Sequence, residues 1–404
     1  MALITGEMWD VETNIPSGYN FASNTLSPTG LSGQLTFTRS TAGPRVKPDG
    51  LLENIGINLP RFTHHPLTGA PKGILIEAAA TNTLLWSEAL DNAVWNAPST
   101  NGVVTPNVGT DQFGNITFDR LASDGTNNRR RQTVAHTSGS LVWYNKIAVR
   151  KQTPAVTAEL SIGLTGGTAV TTTVTLNTAT GVATRTVGTG EFGVIEHRNH
   201  WILWASITDN ASGNTSRFCE IRTVTSGATV DFGAAQLESG RITSYIKTEG
   251  ATAQRTVDLL EKPFMINGGK CTFVVDCITQ SSPQSESSRV FYYFLDGDNK
   301  ISAYRRFDGS IRSESSVGGV VTSIVGPVVA NSTRIKIAAS FEAGRIAMAV
   351  TGSAVVTGTP AGIPNVTTYN VGIGSQQWNG TIASMQEYNG VAFTDAELLA
   401  AVVL

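Results

Sequence analysis

Apolar and polar residues alternate with a period of two along much of this chain, the spacing that places successive side chains on opposite faces of a strand. In the stretch 200–208, Trp201, Leu203, Ala205 and Ile207 fall on one face, and Ile202, Trp204, Ser206 and Thr208 on the other. Strand-like runs at 141–149, 156–164, 170–176, 182–187, 195–207, 217–224 and 229–237 belong to one unit. Runs at 271–278, 290–295, 300–306, 320–324, 334–341 and 345–350 belong to another. The sequence Asn177 to Gly181 reads as a hairpin loop with glycine at the left-handed position. Near the end, Thr394 and Glu397 stand at capping-box spacing and open a short helix from Asp395 to about Val402. Before residue 80 the pattern is broken by Pro16, Pro28, Pro44, Pro48, Pro60, Pro66 and Pro71, which exclude long helices. Only short strands fit there, at 34–39 and 73–76. The expected fold is all-β: a turn-rich N-terminal arm and connector over 1–81, then tandem sandwiches of jelly-roll or concanavalin type over 82–258 and 259–404.

Composition narrows the chemistry. A chain of 404 residues accommodates two to four domains. Charged residues make up 15%, well below the average of about 25% for soluble domains, so hydroxyls and amides dominate the surface. A net charge of −2 gives no footprint for nucleic acid or acidic membranes. No apolar run is long enough to span a bilayer, and the opening Met-Ala-Leu-Ile-Thr-Gly-Glu-Met lacks the basic and apolar regions of a secretory signal. Synthesis in a cytoplasm and exit by lysis are therefore expected. Three cysteines, Cys219, Cys271 and Cys277, are too few and too odd in number for a disulfide framework, and buried free thiols are expected. The basic run Arg129-Arg130-Arg131 reads as a solvated loop tip.

No Gly-x-Ser-x-Gly elbow, phosphate loop, His-Glu-x-x-His or Cys-x-x-Cys pair is present. His64-His65 and the pair His197 and His200 read as turn residues. Glycoside hydrolysis needs two carboxylates at fixed separation, and no pair stands out among the 31 acidic residues. Asp296, Asp298 and Asn299 offer oxygen ligands of the kind calcium takes, but the remaining positions of a calcium loop are missing and a plain turn is expected. No cofactor and no metal are expected. Sugars bind sandwiches by stacking a pyranose face on an aromatic ring while neighbouring polar groups bond its hydroxyls. Candidate platforms are Trp143, Tyr144, Trp201 and Trp204 in the first sandwich, and Tyr292, Tyr293, Tyr304 and Trp378 in the second. Adjacent pairs such as Trp143-Tyr144 must place one ring on each face of a strand.

Three motifs carry a resemblance. Gln236-Leu237-Glu238, Thr243-Ser244-Tyr245-Ile246, Arg255 and Asp258 resemble the "GAQLE … TSYIPT … ATRAAD" ending of a carbohydrate-binding-module-like domain common in bacteriophage tail-fibre and head-spike proteins. Lys247 stands where that ending has proline. Upstream, Phe37-Thr38-Arg39, Gly50-Leu51-Leu52, Pro60-Arg61-Phe62, Gly73 to Glu77 and Thr81-Asn82 resemble the piece that precedes that domain, with Arg61 and Glu77 placed to pair. Trp378, Gly380, Ile382, Tyr388 and Phe393 to Leu398 resemble the closing strand and helix of laminin-G and concanavalin-like sandwiches. The resemblance implies a virion fibre or spike subunit, usually a homotrimer, that contacts host-surface polysaccharide without catalysis. The N-terminal arm, with Trp9, Tyr19 and Phe21, would join other virion proteins. The alternatives are a purely structural spike, collar or decoration protein, and a polysaccharide depolymerase.

Overall fold

The computed structural model describes residues 17–27, 34–96, 102–123, 129–139, 141–266, 268–279, 288–371 and 377–404. It is an all-β protein built of antiparallel sheets, with one short α-helix and a single 3₁₀ turn among the described residues.

The middle sandwich faces a five-stranded sheet against a six-stranded one. The first has the order Arg129–Ala135, Ser216–Thr223, Thr157–Thr165, Val170–Asn177, Ala183–Val187. The second has the order Phe192–Glu196, His200–Thr208, Val142–Arg150, Thr229–Ser239, Ile116–Ala122, Val104–Thr110. Period-two alternation sends Trp143, Ile147, Val149, Leu203 and Leu237 inward, onto Leu160 and Ile221 of the facing sheet. Each such side chain contributes roughly 1.5–3 kcal/mol by leaving water. The Asn177 to Gly181 loop closes as expected, with Gly181 at φ +71.

The terminal sandwich pairs an eight-stranded with a seven-stranded sheet. The eight-stranded sheet runs Val356–Gly358, Arg345–Val350, Arg334–Glu342, Cys271–Thr279, Gly380–Asn389, Pro71–Ile76, Phe62–His64, and Ser17–Asn20 also pairs with Gly380–Asn389. The other runs Thr36–Thr38, Leu259–Pro263, Thr368–Val371, Ser288–Phe294, Lys300–Arg305, Ser310–Val317, Val320–Val328. The segment read as an arm thus supplies four strands to the far end of the chain. Tyr19 and Phe21 are buried in the terminal core, while Trp9 lies outside the described residues. At Gly73, with φ +100, an added Cβ would sit 2.0 Å from the Ile382 carbonyl oxygen, so only glycine permits this strand contact.

The capping box forms on helix Asp395–Ala401: Thr394 Oγ1 accepts from Glu397 N, and the Glu397 carboxylate accepts from Thr394 N at 2.8 Å. Leu398 and Val402 then pack on Val274 and Ala338, covering the outer face of the eight-stranded sheet.

Three sequence readings change. The Arg129 to Arg131 run is the start of a strand, not a loop tip: Arg129 and Arg131 pair with Glu220 on the neighbouring strand, and Arg131 lies over Phe218. His197 and His200 are buried and stacked, with ring centroids 4.6 Å apart; Phe118 packs edge-on to His200, and His197 shares a cleft wall with Pro66 and Lys72. His64 is also buried, at the end of a strand, with Nδ1 bonded to the Val46 carbonyl. The three cysteines are buried free thiols; burial pushes Cys219 up to about 12. Asp296 accepts from Asp298 N and Asn299 N at 2.9 and 2.8 Å, the bonds of a plain turn.

Candidate functional site

The six-stranded sheet of the middle sandwich has an unusual outer face. Strand Val142–Arg150 alternates Trp143, Asn145, Ile147 and Val149 inward with Tyr144, Lys146 and Ala148 outward, yet only Arg150 is exposed. Tyr245 and Phe113 pack on that face against Ala148 and Ala234, and residues 44–75 of the N-terminal segment close over it beside Lys146 and Ile202.

A charged network fixes the segment in place. Arg39, Arg61 and Arg255 meet Glu77 and Asp258, with every side chain at 1% exposure or less. Arg61 Nη1 is 2.7 Å from Glu77, as the sequence suggested, and its Nη2 donates to Asp258. Arg39 binds Asp258 at 3.1 Å and donates to the carbonyls of Ile55 and Gly56. Glu77 also accepts from Ser244 N and Oγ at 2.6 and 2.7 Å. Burial works to raise the Glu77 carboxyl, but Arg255, Arg61 and the Ser244 bond outweigh it and hold it at about 2. The charged residues of the segments 37–82 and 236–258 therefore form a clamp between segment and sandwich.

Beside the clamp, between the segment and the sheet, lies a cleft of ≈ 160 Å³. Its polar wall includes Thr63, Lys72, Gln112, Lys146 and His197, and its apolar wall includes Leu52, Leu75, Ile202 and Tyr245. A bulge aims these groups: Lys146 pairs with Gln236 and Ala148 with Gly233, leaving Ala234 and Ala235 opposite Ile147 alone, and Ala234 takes φ +53. Lys146 donates to the Thr243 carbonyl and stands 3.9 Å from Glu238, which is itself held by Thr243 N and Oγ1 at 2.9 and 2.7 Å. Burial lowers both Lys146 and Lys72 and raises Glu238. Burial, reinforced by neighbouring cations, lowers His197 to about 4 and His200 to about 3, so both are neutral at pH 7.

Tyr245 also borders a second opening, an outer groove of ≈ 170 Å³ shared with Asn54, Glu88, Asp111, Phe113 and Lys247. Glu88, Thr117 and Lys247 continue it past Trp86, Asn107 and Glu249. Trp86 is half-buried at φ +52, a left-handed backbone that costs a bulky residue roughly 1–2 kcal/mol. It is held there by Trp86 N donating to the Glu249 carbonyl and by Trp95 Nε1 donating to the Trp86 carbonyl. Lys247 binds Glu88 at 2.9 Å, and the Tyr245 hydroxyl donates to Glu88 at 3.1 Å. Asp111 accepts from Phe113 N, Asn115 N and Thr117 Oγ1, each at 2.8 Å. Asp119 fixes the Asn107 and Leu90 amides beneath the groove; burial pushes its carboxyl up to about 6.

The aromatic platforms expected from sequence lie elsewhere, and a buried ring cannot stack an incoming sugar. Trp143 is buried under the Arg217 guanidinium, 3.8 Å from its ring centroid, and Trp201 donates to the Thr178 carbonyl from within the core. Tyr293 and Trp378 are fully buried in the terminal core, and Tyr304 is buried with its hydroxyl on Glu314. Tyr144 is buried on the outer face against Trp204, the one candidate that is half-exposed. The Tyr292 side chain lies outside the described residues. Neither Tyr144 nor Trp204 lines the cleft or the groove. Sequence reasoning passed over Trp86, Lys72, Lys146, Gln112 and Lys247. Two signals were present: a lysine inside the apolar run 142–149, and Lys247 at the position where the related ending has proline.

No protein-family model and no curated protein matches the chain. Among solved structures it is similar to the NanB sialidase of Streptococcus pneumoniae, at 14% identity and TM-score 0.28 over 33% of this chain and 24% of that one. It is also similar to the Ruminococcus gnavus IT-sialidase CBM40 bound to alpha2,3 sialyllactose, at 16% identity and TM-score 0.29, over 34% and 83% of the two chains. A heptameric SAP-like pentraxin from Limulus polyphemus matches at 14% identity and TM-score 0.29, over 35% and 73%. The chain spans about a quarter of the length of the NanB chains it matches. Overlaps this partial and distant assign no ligand.

Proposed function

We propose that this protein is a non-catalytic glycan-contacting subunit of a bacteriophage fibre or spike, and that it holds its ligand in the groove and cleft on either side of Tyr245. The observation that carries the reading is the groove itself. Trp86 lines one end of the groove and Phe113 the other, beside the buried Tyr245, and its polar groups are amides, hydroxyls, Lys247 and the carboxylates of Glu88, Asp111 and Glu249. Sugars present alternating C–H faces and hydroxyls, and this set matches both. The phage assignment, the homotrimer and attachment to other virion proteins rest on the motif resemblance alone.

The non-catalytic reading is supported by how two of the groove carboxylates, Glu88 and Asp111, are engaged, while Glu249 reaches Lys247 only at 3.8 Å. Glycoside hydrolysis needs one carboxyl free to give a proton and another free to attack or activate water. Glu88 is committed to Lys247 and Tyr245, and Asp111 to three donors of its own turn. The test is a glycan array probed with the full chain, followed by incubation of bound polysaccharides and assay for reducing ends. Binding without new reducing ends is expected. No binding to any glycan sinks the reading, and new reducing ends replace it with a depolymerase.

A further inference from the structure

We propose that the cleft between the N-terminal segment and the outer face of the six-stranded sheet is the subsite for one acidic sugar residue, whose carboxylate is held by Lys72 and Lys146. The inference deepens the glycan-binding reading and rests on it for the sugar, though not for the anion.

The charge of the cleft comes first. Arg45, Lys72 and Lys146 line it, and no aspartate or glutamate does. Arg45 is answered by Glu53 at 2.7 Å, and Lys146 only loosely by Glu238 at 3.9 Å. Lys72 has no carboxylate partner among the described residues. The buried groups behind the wall do not neutralise it. Arg39, Arg61 and Arg255 are balanced three to three by Glu77, Asp258 and Glu238, so no surplus carboxylate is left to answer Lys72 and Lys146. A buried charge without a partner is costly, and a carboxylate entering the cleft supplies one.

Two lining side chains each carry one buried polar atom without a partner. Gln112, 3% exposed, has no partner for Nε2, and His197, 7% exposed, has none for Nδ1. Orphaned polar atoms of this kind are rare in folded proteins, and both suit the hydroxyls of a bound ring. Thr63 adds a hydroxyl, and Leu52, Leu75 and Ile202 give the C–H faces an apolar wall. The volume agrees, because a cavity of about 150 Å³ admits a six-membered ring. Inorganic anions would satisfy the lysines but leave the apolar wall and Gln112 unused.

The experiment titrates the full chain, by calorimetry or saturation-transfer NMR, with glucuronate, galacturonate, glucose, galactose and inorganic phosphate. At least one hexuronate is expected to bind about tenfold or more tighter than its neutral counterpart. Lys72→Met, at a half-buried surface position, is expected to lower that affinity about tenfold, and Lys146→Met to do the same. Equal binding of neutral and acidic sugars, phosphate binding tighter than either hexuronate, or full affinity in both folded variants would overturn the proposal. Neutral oligosaccharides binding on an array while no hexuronate binds removes the acidic subsite and leaves the glycan reading standing. Hexuronate binding with no oligosaccharide bound does the reverse.

Discussion

Two buried lysine–glutamate pairs, one in each sandwich, end in opposite states. In the terminal sandwich Lys262 donates directly to Glu387, the Tyr293 hydroxyl donates to the same carboxylate at 2.7 Å, and the rings of Tyr19, Phe264 and Tyr369 surround the ammonium. On the outer face of the middle sandwich Lys146 stands 3.9 Å from Glu238, each bonds Thr243 instead, and a cleft opens beside them. The first pair is closed and structural. The second is slack, and burial outweighs the attraction of Glu238, so Lys146 is held less firmly charged. A slack buried pair beside an open cleft is a candidate functional site, and it is here that an acidic sugar is proposed to bind.

The comparison breaks most sharply under single substitutions. Lys262→Met or Glu387→Gln strands a fully buried partner and should cost about 3–5 kcal/mol in urea unfolding. Replacing both by apolar residues should recover most of that loss. Lys146→Met should cost under about 2 kcal/mol, because Glu238 keeps its two bonds to Thr243. Equal costs at the two sites would erase the distinction drawn between them.

The clamp should make itself felt in acid. The Glu77 carboxyl falls from 4.5 in the unfolded chain to about 2 in the fold, so its contribution is complete above 4.5 and is lost as pH falls towards 2. Glu77→Gln should remove that acid-sensitive step while lowering stability at pH 7. Asp119 carries the opposite sign and a smaller effect. Its carboxyl rises from 3.8 to about 6, so its contribution is complete below 3.8 and is lost as pH climbs through 6. Melting temperature followed from pH 4 to pH 7 should flatten in Asp119→Asn. A curve of unchanged shape would show that Asp119 does not titrate there.

Much of the strand layout was legible because period two is local. The face assignment of 200–208, the Asn177 to Gly181 loop and the Thr394 capping box each depend on neighbours a few residues apart. The Arg61 to Glu77 pair was legible from motif resemblance. The site was not, because it is made by distant chain: Pro44 to Leu75 line the cleft opposite Lys146, His197 and Tyr245. Alternation correctly placed Trp143 and Tyr144 on opposite faces, but nothing local says that the outer face is covered too. Contacts with Phe118 and with Pro66 and Lys72, distant in sequence, make His200 and His197 buried rings rather than turn residues. Trp86 was passed over because its left-handed backbone is imposed by Glu249 and Trp95, not by its own sequence.

The central claim is that the groove past Tyr245 holds glycan. Its most direct test is calorimetric titration of a glycan found on the array against the wild-type chain and against the double variant Trp86→Ala/Lys247→Ala. The account predicts saturable binding by the wild type and a loss of about tenfold or more in the folded variant. Equal affinity in the two proteins would contradict it.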